Sequence, residues 1–484
     1  MTTTSRRHGG RTRALGPAAV LAALLAACSP TPPAAPGTTD GPDAAPNPVV
    51  TPDVEEVTTA PPLPDAAGVV PTYGSAPQNA WQITPEDLDV PGAGTIELYD
   101  PTSVPVMEGW PLVGATTAGG AWVVGVAEVG GTNQWLVALD PVTGEQRSVV
   151  GLTRGDGPPT SCTSGLADGR IACLYGTALE LLDVAAGEAT ARVDLPEPAF
   201  SVHELDGDIA VVSIAPDATA LTLARTAPDG TARWTLRTDL DFEQQMAMTG
   251  SYVPSVQHVL GAALFTVGEL HLMVDATDGT LLWHGIGDAV GPGPEGTVVA
   301  SVRPQQAPGT PSEVQLLDAG GAVVLQAPGL TWRPPAASTG VRGTLVADGG
   351  AGTVGLGTDG ARAWEHAGDP QHLRVPMVLA DGVAVVQDTA GTLVALDAER
   401  GTELWRNTGG NRGWHVRGWG ALTDGERMIA RTPEGVIAVE LATGEEAWRA
   451  RVPEPEGQVW ELVRLDGTVV AVGQRSLSVL IPAE

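Results

Sequence analysis

The sequence contains no lysine, because all 26 of its basic residues are arginine. A P-loop, a Schiff base with pyridoxal phosphate, a protein-kinase site and a Ser/Lys nucleophile pair each require a lysine, so these enzyme classes are excluded. Acidic residues number 57, which gives a net charge of −31. Nucleic acid and anionic lipid are therefore not expected as main partners, since a surface of this charge repels them.

Long uninterrupted segments are also scarce, because 62 Gly and 41 Pro divide the chain too often for long helices. Hydrophobic residues still make up 43% of the sequence, which is enough for a large core. After Trp81 they occur as short apolar runs separated by Gly, Asp and Pro. This pattern predicts an all-β fold.

The N-terminus has the features of an export signal. A basic segment at residues 5–13 precedes an apolar run at residues 14–27, which is too short to span a membrane as a helix. The run ends in Leu-Ala-Ala before Cys28, and this sequence resembles the lipobox of bacterial lipoproteins. The resemblance implies cleavage before Cys28, lipidation of its sulfur and attachment to the outer face of the cytoplasmic membrane. An ordinary secreted protein remains the alternative, and Sec and Tat export are both open.

These features predict three regions. Residues 1–27 form the signal peptide, residues 28–75 a lipid-anchored tether and residues 76–484 the folded part. The second region is rich in Pro, Ala and Thr. Such a composition cannot repay the entropy of ordering, so we expect an extended tether. Removal of four signal-peptide arginines would bring the charge of −31 to −35.

One frame recurs along the folded part: an Asp-x-x-x-Gly turn followed by Trp four residues after the glycine. The clearest copies are Asp275-Gly279-Trp283, Asp397-Gly401-Trp405 and Glu440-Gly444-Trp448. The carboxylate can accept N–H bonds in the turn, the glycine allows positive φ, and the indole offers a flat packing surface. Counting looser copies, the turn glycines lie about 43 residues apart, which is the length of one propeller blade.

The pattern Ala-x-Asp-x-x-x-Gly-x-x-x-Trp, seen from Ala395 to Trp405, resembles the PQQ-binding-like repeat of the quinoprotein alcohol dehydrogenase-like superfamily. The resemblance implies a β-propeller of four-stranded blades. We expect eight blades, within a range of seven to nine, with one weak unit around Asp318 merged or irregular. The ring is expected to close by pairing of N- and C-terminal strands, with Thr95–Tyr99 as the N-terminal partner.

Two cysteines remain if Cys28 is lipidated. Cys162 and Cys173 flank a turn signal, Leu166-Ala167-Asp168-Gly169, which would place them opposite each other in a hairpin. Directly opposed hairpin positions lie near disulfide distance, and disulfides persist in exported proteins. We therefore predict a Cys162–Cys173 disulfide, with two buried free thiols as the alternative.

No catalytic or metal motif is found. The histidines, among them His271 and His284, lack paired metal spacing, and we expect structural or surface roles for them. The pairs Asp87/Asp89 and Asp239/Asp241 are expected to be solvated rather than calcium ligands. A cluster comprising Trp414, His415, Arg417 and Trp419 could be an interface anchor or inter-blade packing.

These observations favour a non-catalytic, membrane-anchored extracytoplasmic propeller, a monomer that acts as a scaffold for envelope or membrane proteins. The composition is typical of an actinobacterial-type lipoprotein. We expect no cofactor, because the adjacent-cysteine pair of quinoprotein dehydrogenases is missing and an anionic funnel suits a tricarboxylate quinone poorly. The alternative is a propeller that binds a small ligand, cation or substrate in its central funnel, which would include an enzyme.

Overall fold

In the computed structural model, the described residues run from 68 to 483 except for internal stretches at 93, 103–112, 155–156, 216–219, 239–253, 304–311, 340–343, 369–373, 389–390, 408–419, 433–434 and 453–458. Thirty-six β-strands and two single-turn 3-10 helices, Pro85–Asp87 and Pro294–Gly296, occur in this part. The described part is all-β, as predicted. Cys28, the Asp239/Asp241 pair and the Trp414–Trp419 cluster lie outside the described residues.

We call each group of successive antiparallel strands a unit and number the units along the chain. The first three units cover residues 96–238, and their strands are β2 Ile96–Tyr99, β3 Thr116–Ala118, β4 Ala121–Glu128, β5 Gln134–Leu139 and β6 Gln146–Gly151 in unit 1; β7 Ser161–Cys162, β8 Ile171–Tyr175, β9 Ala178–Asp183 and β10 Glu188–Asp194 in unit 2; and β11 Ser201–Leu205, β12 Asp208–Ile214, β13 Leu221–Thr226 and β14 Ala232–Thr238 in unit 3.

Units 4 and 5 share one strand, so they form a single seven-stranded sheet. Their strands are β15 Ser255–Val259, β16 Ala262–Val267, β17 Leu270–Asp275, the shared β18 Leu281–Pro292, β19 Val298–Val302, β20 Glu313–Leu317 and β21 Val323–Pro328. The turn at Asp318 lies between β20 and β21. The merged unit is therefore the one around Asp318, as the irregular spacing predicts.

The remaining units contain the last strands of the chain together with the first. These strands are β23 Thr344–Asp348, β24 Gly352–Gly357 and β25 Arg362–Ala367 in unit 6; β26 Arg374–Ala380, β27 Val383–Asp388, β28 Leu393–Asp397 and β29 Glu403–Asn407 in unit 7; β30 Leu422–Thr423, β31 Arg427–Thr432, β32 Gly435–Glu440 and β33 Glu446–Arg451 in unit 8; and β34 Val459–Leu465, β35 Thr468–Gly473, β36 Leu477–Ile481 and β1 Gln78–Ile83 in unit 9. A short strand before unit 6, β22 Ala337–Ser338, pairs in parallel with β26 of unit 7.

Within the described residues the strands thus form eight sheets, and the seven-stranded sheet holds two of the nine units. The middle strands are apolar on both faces because neighbouring units cover both: β4, for example, is buried over its first six residues. First strands of successive units contact one another, as β11 contacts β7 and β15, so they form the inner edge. The outer strands are more exposed, and β10 is exposed along most of its length.

The N-terminal strand of unit 9 differs from the predicted one. Gln78–Ile83 pairs antiparallel with β36, whereas the predicted Thr95–Tyr99 region forms β2 and pairs with β4. The reason lies in β1 itself, because it carries Trp81 after a β-bulge, as the other outer strands carry their packing residue. The folded part also begins before residue 76, since Val70 and Tyr73 are buried within it.

Candidate functional site

One contact recurs along the chain at the places where one unit meets the next. Trp405 of unit 7 lies on the turn of unit 8: a Cβ added to Gly444 would be 2.6 Å from its indole, and its Nε1 donates to Leu441 O at 2.7 Å. Trp364 of unit 6 packs on Gly401 of unit 7 in the same way, donating to Ala398 O at 2.8 Å. Within one repeat, the turn is therefore contacted by the preceding unit, whereas the Trp contacts the following unit. We call the contact between two successive units a joint.

Two further joints use the same contact. Trp234 of unit 3 packs on Gly279 and donates to Ala276 O at 2.9 Å, and Trp81 of unit 9 packs on Gly144 and donates to Pro141 O at 3.2 Å. In each case the accepting carbonyl lies three residues before the glycine. A β-bulge directly before the Trp turns it toward the next unit.

Turn length separates joints with such a hydrogen bond from those without one. Five turns close with a bond from the glycine N–H to a carbonyl four residues earlier, and their glycines are Gly144, Gly187, Gly279, Gly401 and Gly444. Each receives a side-chain donor from the preceding unit, a Trp in four cases and Ser148, which donates to Val184 O, in the fifth. The turns at Gly230, Gly321 and Gly360 are one residue shorter.

The short turns receive apolar contacts instead. Val193 lies over Gly230, and Leu325 packs on Gly360. Trp283 does not cover a turn glycine: the backbone of Leu282 covers Gly321, and the partly exposed Trp283 packs near Gly285 and against Val302 of the next unit. The shared strand β18 accounts for this, since it carries the chain directly into the next unit.

The turn carboxylates hold the backbone as the sequence pattern suggests. Asp397 Oδ1 accepts the N–H groups of Glu399 and Arg400, and these bonds lower the pKa of Asp397. Asp275 Oδ1 accepts the N–H of Thr277 at 2.7 Å. The glycines at 279, 401 and 444 all have positive φ. Glu440 departs from this pattern, because its Oε1 accepts a bond from Arg427 Nε.

The Cys162–Cys173 disulfide is present in unit 2. The two residues are direct partners in the β7–β8 pairing, and both are buried. The bridge therefore staples the inner strand of unit 2 to the next strand, as the hairpin register predicts.

Two carboxyl groups lie near the inner edge of units 1 and 9. Burial raises the pKa of Asp100, which follows β2 and accepts bonds from the N–H and hydroxyl of Thr102. Burial also raises the pKa of Glu461 on β34, and the charge of Asp100 raises it further against the opposing effect of Arg431. Asp100 is thus close enough for its charge to raise the pKa of Glu461.

The described histidines have structural or surface positions. His271 is buried between Thr266 Oγ1 and Gly287 O, and His284 is exposed. Burial lowers the pKa of His203 to about 4, with Ser201 Oγ 3.1 Å from its ring. The Asp87 carboxylate accepts the N–H of Thr84, and the backbone of Asp89 makes two hydrogen bonds with the Gln146 side chain. Asp87 and Asp89 therefore contribute to local structure.

Across the described ranges, no group of three or more His, Cys, Asp or Glu side chains is arranged to hold a metal ion. The same part of the chain contains no helix both long and apolar enough to cross a membrane. Sequence reasoning missed Ser148, Trp81 and Tyr73 as joint residues. The offset from the turn glycine could have identified Ser148, whereas the other two have no turn before them.

Residues 310–481 match the PQQ-repeat family model described as outer membrane protein assembly factor BamB. No curated protein sequence matches the chain. Among solved structures, BamB from Moraxella catarrhalis is similar over 65% of this chain and 94% of its own, with 15% identity and a TM-score of 0.39.

Quinohemoprotein alcohol dehydrogenase from Comamonas testosteroni is similar over 85% of this chain and 78% of its own, with 13% identity and a TM-score of 0.43. Sqt1 from Saccharomyces cerevisiae covers 84% of this chain and 100% of its own, with 8% identity and a TM-score of 0.45. The family match covers residues 310–481 and the described strands form repeated four-stranded units, so the fold is that of a β-propeller with PQQ-like repeats in its C-terminal part.

Proposed function

We propose that this protein is a non-catalytic scaffold, a lipid-anchored extracytoplasmic propeller that binds protein partners of the cell envelope. The observation that carries the proposal is the match of residues 310–481 to a family described as an outer membrane protein assembly factor. We transfer from that description only protein binding at the envelope. The lipobox-like sequence at Cys28 supports the location.

Backbone segments of the chain cover part of the inner edge, which supports a scaffold. Val69 bridges in parallel to Thr423 of unit 8, and Ala337–Ser338 pairs in parallel with β26 of unit 7. Gly68 is so close to this second segment that an added Cβ would lie 2.7 Å from Ala336 O. The chain therefore covers the inner strands of two units with its own backbone and small residues.

The charge distribution favours partners with basic surfaces. Many arginines are neutralised locally: Arg225 Nε lies 2.8 Å from Asp208, Arg427 Nε 2.8 Å from Glu440, and Arg154 Nε 2.9 Å from Glu180. The excess of carboxylates, 57 against 26 arginines, thus remains as surface charge. Complementary charge speeds association and discriminates against wrong partners.

The test is a crosslinking pull-down from intact bacteria that express the full chain, with Cys28→Ala as the matched control. We expect the unaltered protein to recover discrete envelope proteins, with less recovery at high salt because screening weakens charge pairing. Cys28→Ala should lose both the lipid label and most of the recovery. Failure of the unaltered, labelled protein to recover any partner would refute the scaffold role, and failure of lipid to attach to Cys28 would refute the anchoring.

A matched pair of surface variants locates the binding surface. Val324 on β21 is 58% exposed within the family-matched residues, whereas Val142 is 79% exposed in a unit 1 turn outside them. We expect Val324→Asp to reduce partner recovery and Val142→Asp to leave it unchanged. The reverse result would place the interface outside the family-matched residues.

A second function, binding of a cation or basic ligand at the centre, is favoured by Asp100 and Glu461. Two neighbouring carboxyls, one of which raises the pKa of the other, can share a proton or a cation. Titration of the purified full chain with Ca²⁺ or spermidine tests this function. Binding lost in both Asp100→Asn and Glu461→Gln would support it, and no heat of binding in the unaltered protein would exclude it for these ligands.

A further inference from the structure

The residues that precede β1 are inserted between units 8 and 9. The N–H of Thr423 donates to Gly68 O at 2.9 Å, and the N–H of Val70 donates to Thr423 O at 2.8 Å. Val70 is buried, whereas Pro71 and Thr72 are exposed. The segment is therefore bonded to the inner strand of unit 8 and then passes outward toward unit 9.

Tyr73 anchors the outer end of this segment. Its side chain is 2% exposed, its hydroxyl donates to Leu480 O at 2.9 Å, and its ring lies 6.2 Å from the Trp448 ring. Its backbone oxygen accepts Trp448 Nε1 at 3.0 Å and Arg427 Nη1 at 3.1 Å. One residue thus contacts both units.

The same arrangement occurs at the joint between units 3 and 4, where a turn provides it. There Ala276 O accepts both Trp234 Nε1 at 2.9 Å and Arg225 Nη1 at 2.8 Å. Unit 9 has no such turn between its third and outer strands, because β36 and β1 come from opposite ends of the chain. The carbonyl of Tyr73 takes the position that a turn carbonyl takes elsewhere.

We propose that residues 68–76 are a clasp that locks unit 8 to unit 9. Two main-chain bonds to Thr423 and two buried side chains, Val70 and Tyr73, hold this segment in the described part of the chain. Release of the clasp opens this joint and leaves the other joints intact. The clasp can engage only when the beginning of the folded part and its last strands are both present.

The experiment measures hydrogen exchange in full-length variants, with the exposed neighbour Thr72→Ala as the control. Tyr73→Ala removes the ring, and we expect exchange in β33 and β36 to rise about a hundredfold or more, as for loss of a buried aromatic side chain. Exchange in β12 and β13 of unit 3 should stay at the level of the control. Tyr73→Phe keeps the ring and should raise exchange in β33 and β36 about tenfold, because the hydroxyl both donates to Leu480 O and accepts the Val469 N–H.

A rescue variant separates a clasp from an ordinary core residue. Val69→Cys with Thr423→Cys joins the segment to unit 8 covalently, and in the Tyr73→Ala background it should return exchange in β33 toward the control. Equal acceleration in unit 3 and unit 8, or no change in either Tyr73 variant, would overturn the clasp. Should Tyr73→Ala fail to fold, Tyr73→Phe and the crosslinked protein decide between the same two outcomes.

Discussion

The joints among units 6, 7 and 8 differ in kind from those among units 1, 2 and 3. In the first group each turn is contacted by a single indole. Trp364 and Trp405 each cover a glycine of the next turn and donate one hydrogen bond to that turn. In the second group the equivalent positions hold Ser148 and Ala191. Ser148 and Val193 lie over those turns in place of an aromatic ring.

Several smaller contacts replace the indole in the second group. Tyr175 Oη donates to Leu152 O at 2.7 Å, Glu180 pairs with both Arg154 and Arg192, and the Val202 N–H donates to Ser161 Oγ at 3.1 Å. The disulfide adds a covalent tie inside unit 2. One group therefore depends on few large contacts and the other on many small ones, so single substitutions should act very differently on them.

The largest effect is expected from Trp405→Ala. Loss of the partly buried indole removes apolar contact and leaves Leu441 O without its donor, which should cost about 2–4 kcal/mol. Leu404→Ala is the control, because Leu404 is 43% exposed on the same strand and should change stability little. Urea unfolding measures both variants, and similar midpoints would contradict the docking role.

Gly401→Ala tests the other side of a Trp joint. The glycine has φ +68 and an added Cβ would lie 2.5 Å from the Trp364 indole, so the variant should lose about 2–4 kcal/mol. Gly391 in the same unit has φ +84 but open space around it, and Gly391→Ala should lose only about 1 kcal/mol. Thermal unfolding compares the pair, and equal losses would mean that backbone conformation alone requires the glycine.

Removal of the disulfide probes the second group. Cys162→Ser with Cys173→Ser opens a loop with a sequence separation of 11, which should cost about 2–3 kcal/mol. We expect faster hydrogen exchange in β7 and β8 and unchanged exchange in β28. Acceleration that spreads to unit 7 would show that the bridge stabilises the whole ring.

Single polar contacts in the second group should have small effects. Ser148→Ala and Tyr175→Phe each remove one hydrogen bond across the joint of units 1 and 2, and each should cost about 1 kcal/mol. The losses should combine almost additively in the double variant, measured by urea unfolding. A loss from Ser148→Ala as large as that from Trp405→Ala would remove the distinction between the two groups.

The smallest expected effect is on the stability of the fold at acidic pH. The pKa of His203 is lowered to about 4 by burial, so between about pH 4 and 6.5 the unfolded chain binds more protons at this residue than the folded one. This residue therefore makes stability fall as pH falls through that window. His203→Gln should flatten the pH dependence of the unfolding midpoint relative to the unaltered protein, and an unchanged slope would assign the acid sensitivity elsewhere.

The repeat frame predicted the all-β units because turn chemistry and strand patterning are local properties. Asp397 and Gly401 behave as their turn requires, and the Cys162–Cys173 register follows from the hairpin between them. What joins one unit to the next was not readable in the same way. Trp405 and Gly444 belong to different copies of the frame, so their contact forms only when the units are assembled.

The missed residues have the same cause. Trp81 and Tyr73 contact strands near the other end of the chain, and Tyr73 bonds Leu480. No local pattern marks such a contact, so the sequence predicts Thr95–Tyr99 as the N-terminal strand of unit 9, whereas Gln78–Ile83 occupies that position. Trp283 keeps the local frame and packs against unit 5, but the shared strand β18 places it away from the turn glycine that the other indoles cover.

Strand β18 also bears on how such a protein can change over evolution. At a docked joint the units touch through side chains, so a duplication, a deletion or a circular permutation there leaves each sheet whole. A breakpoint within Leu281–Pro292 instead divides one strand that pairs with β17 at its first half and β19 at its second. Such a breakpoint would disrupt units 4 and 5 together, whereas a breakpoint at another joint would leave both of its units whole.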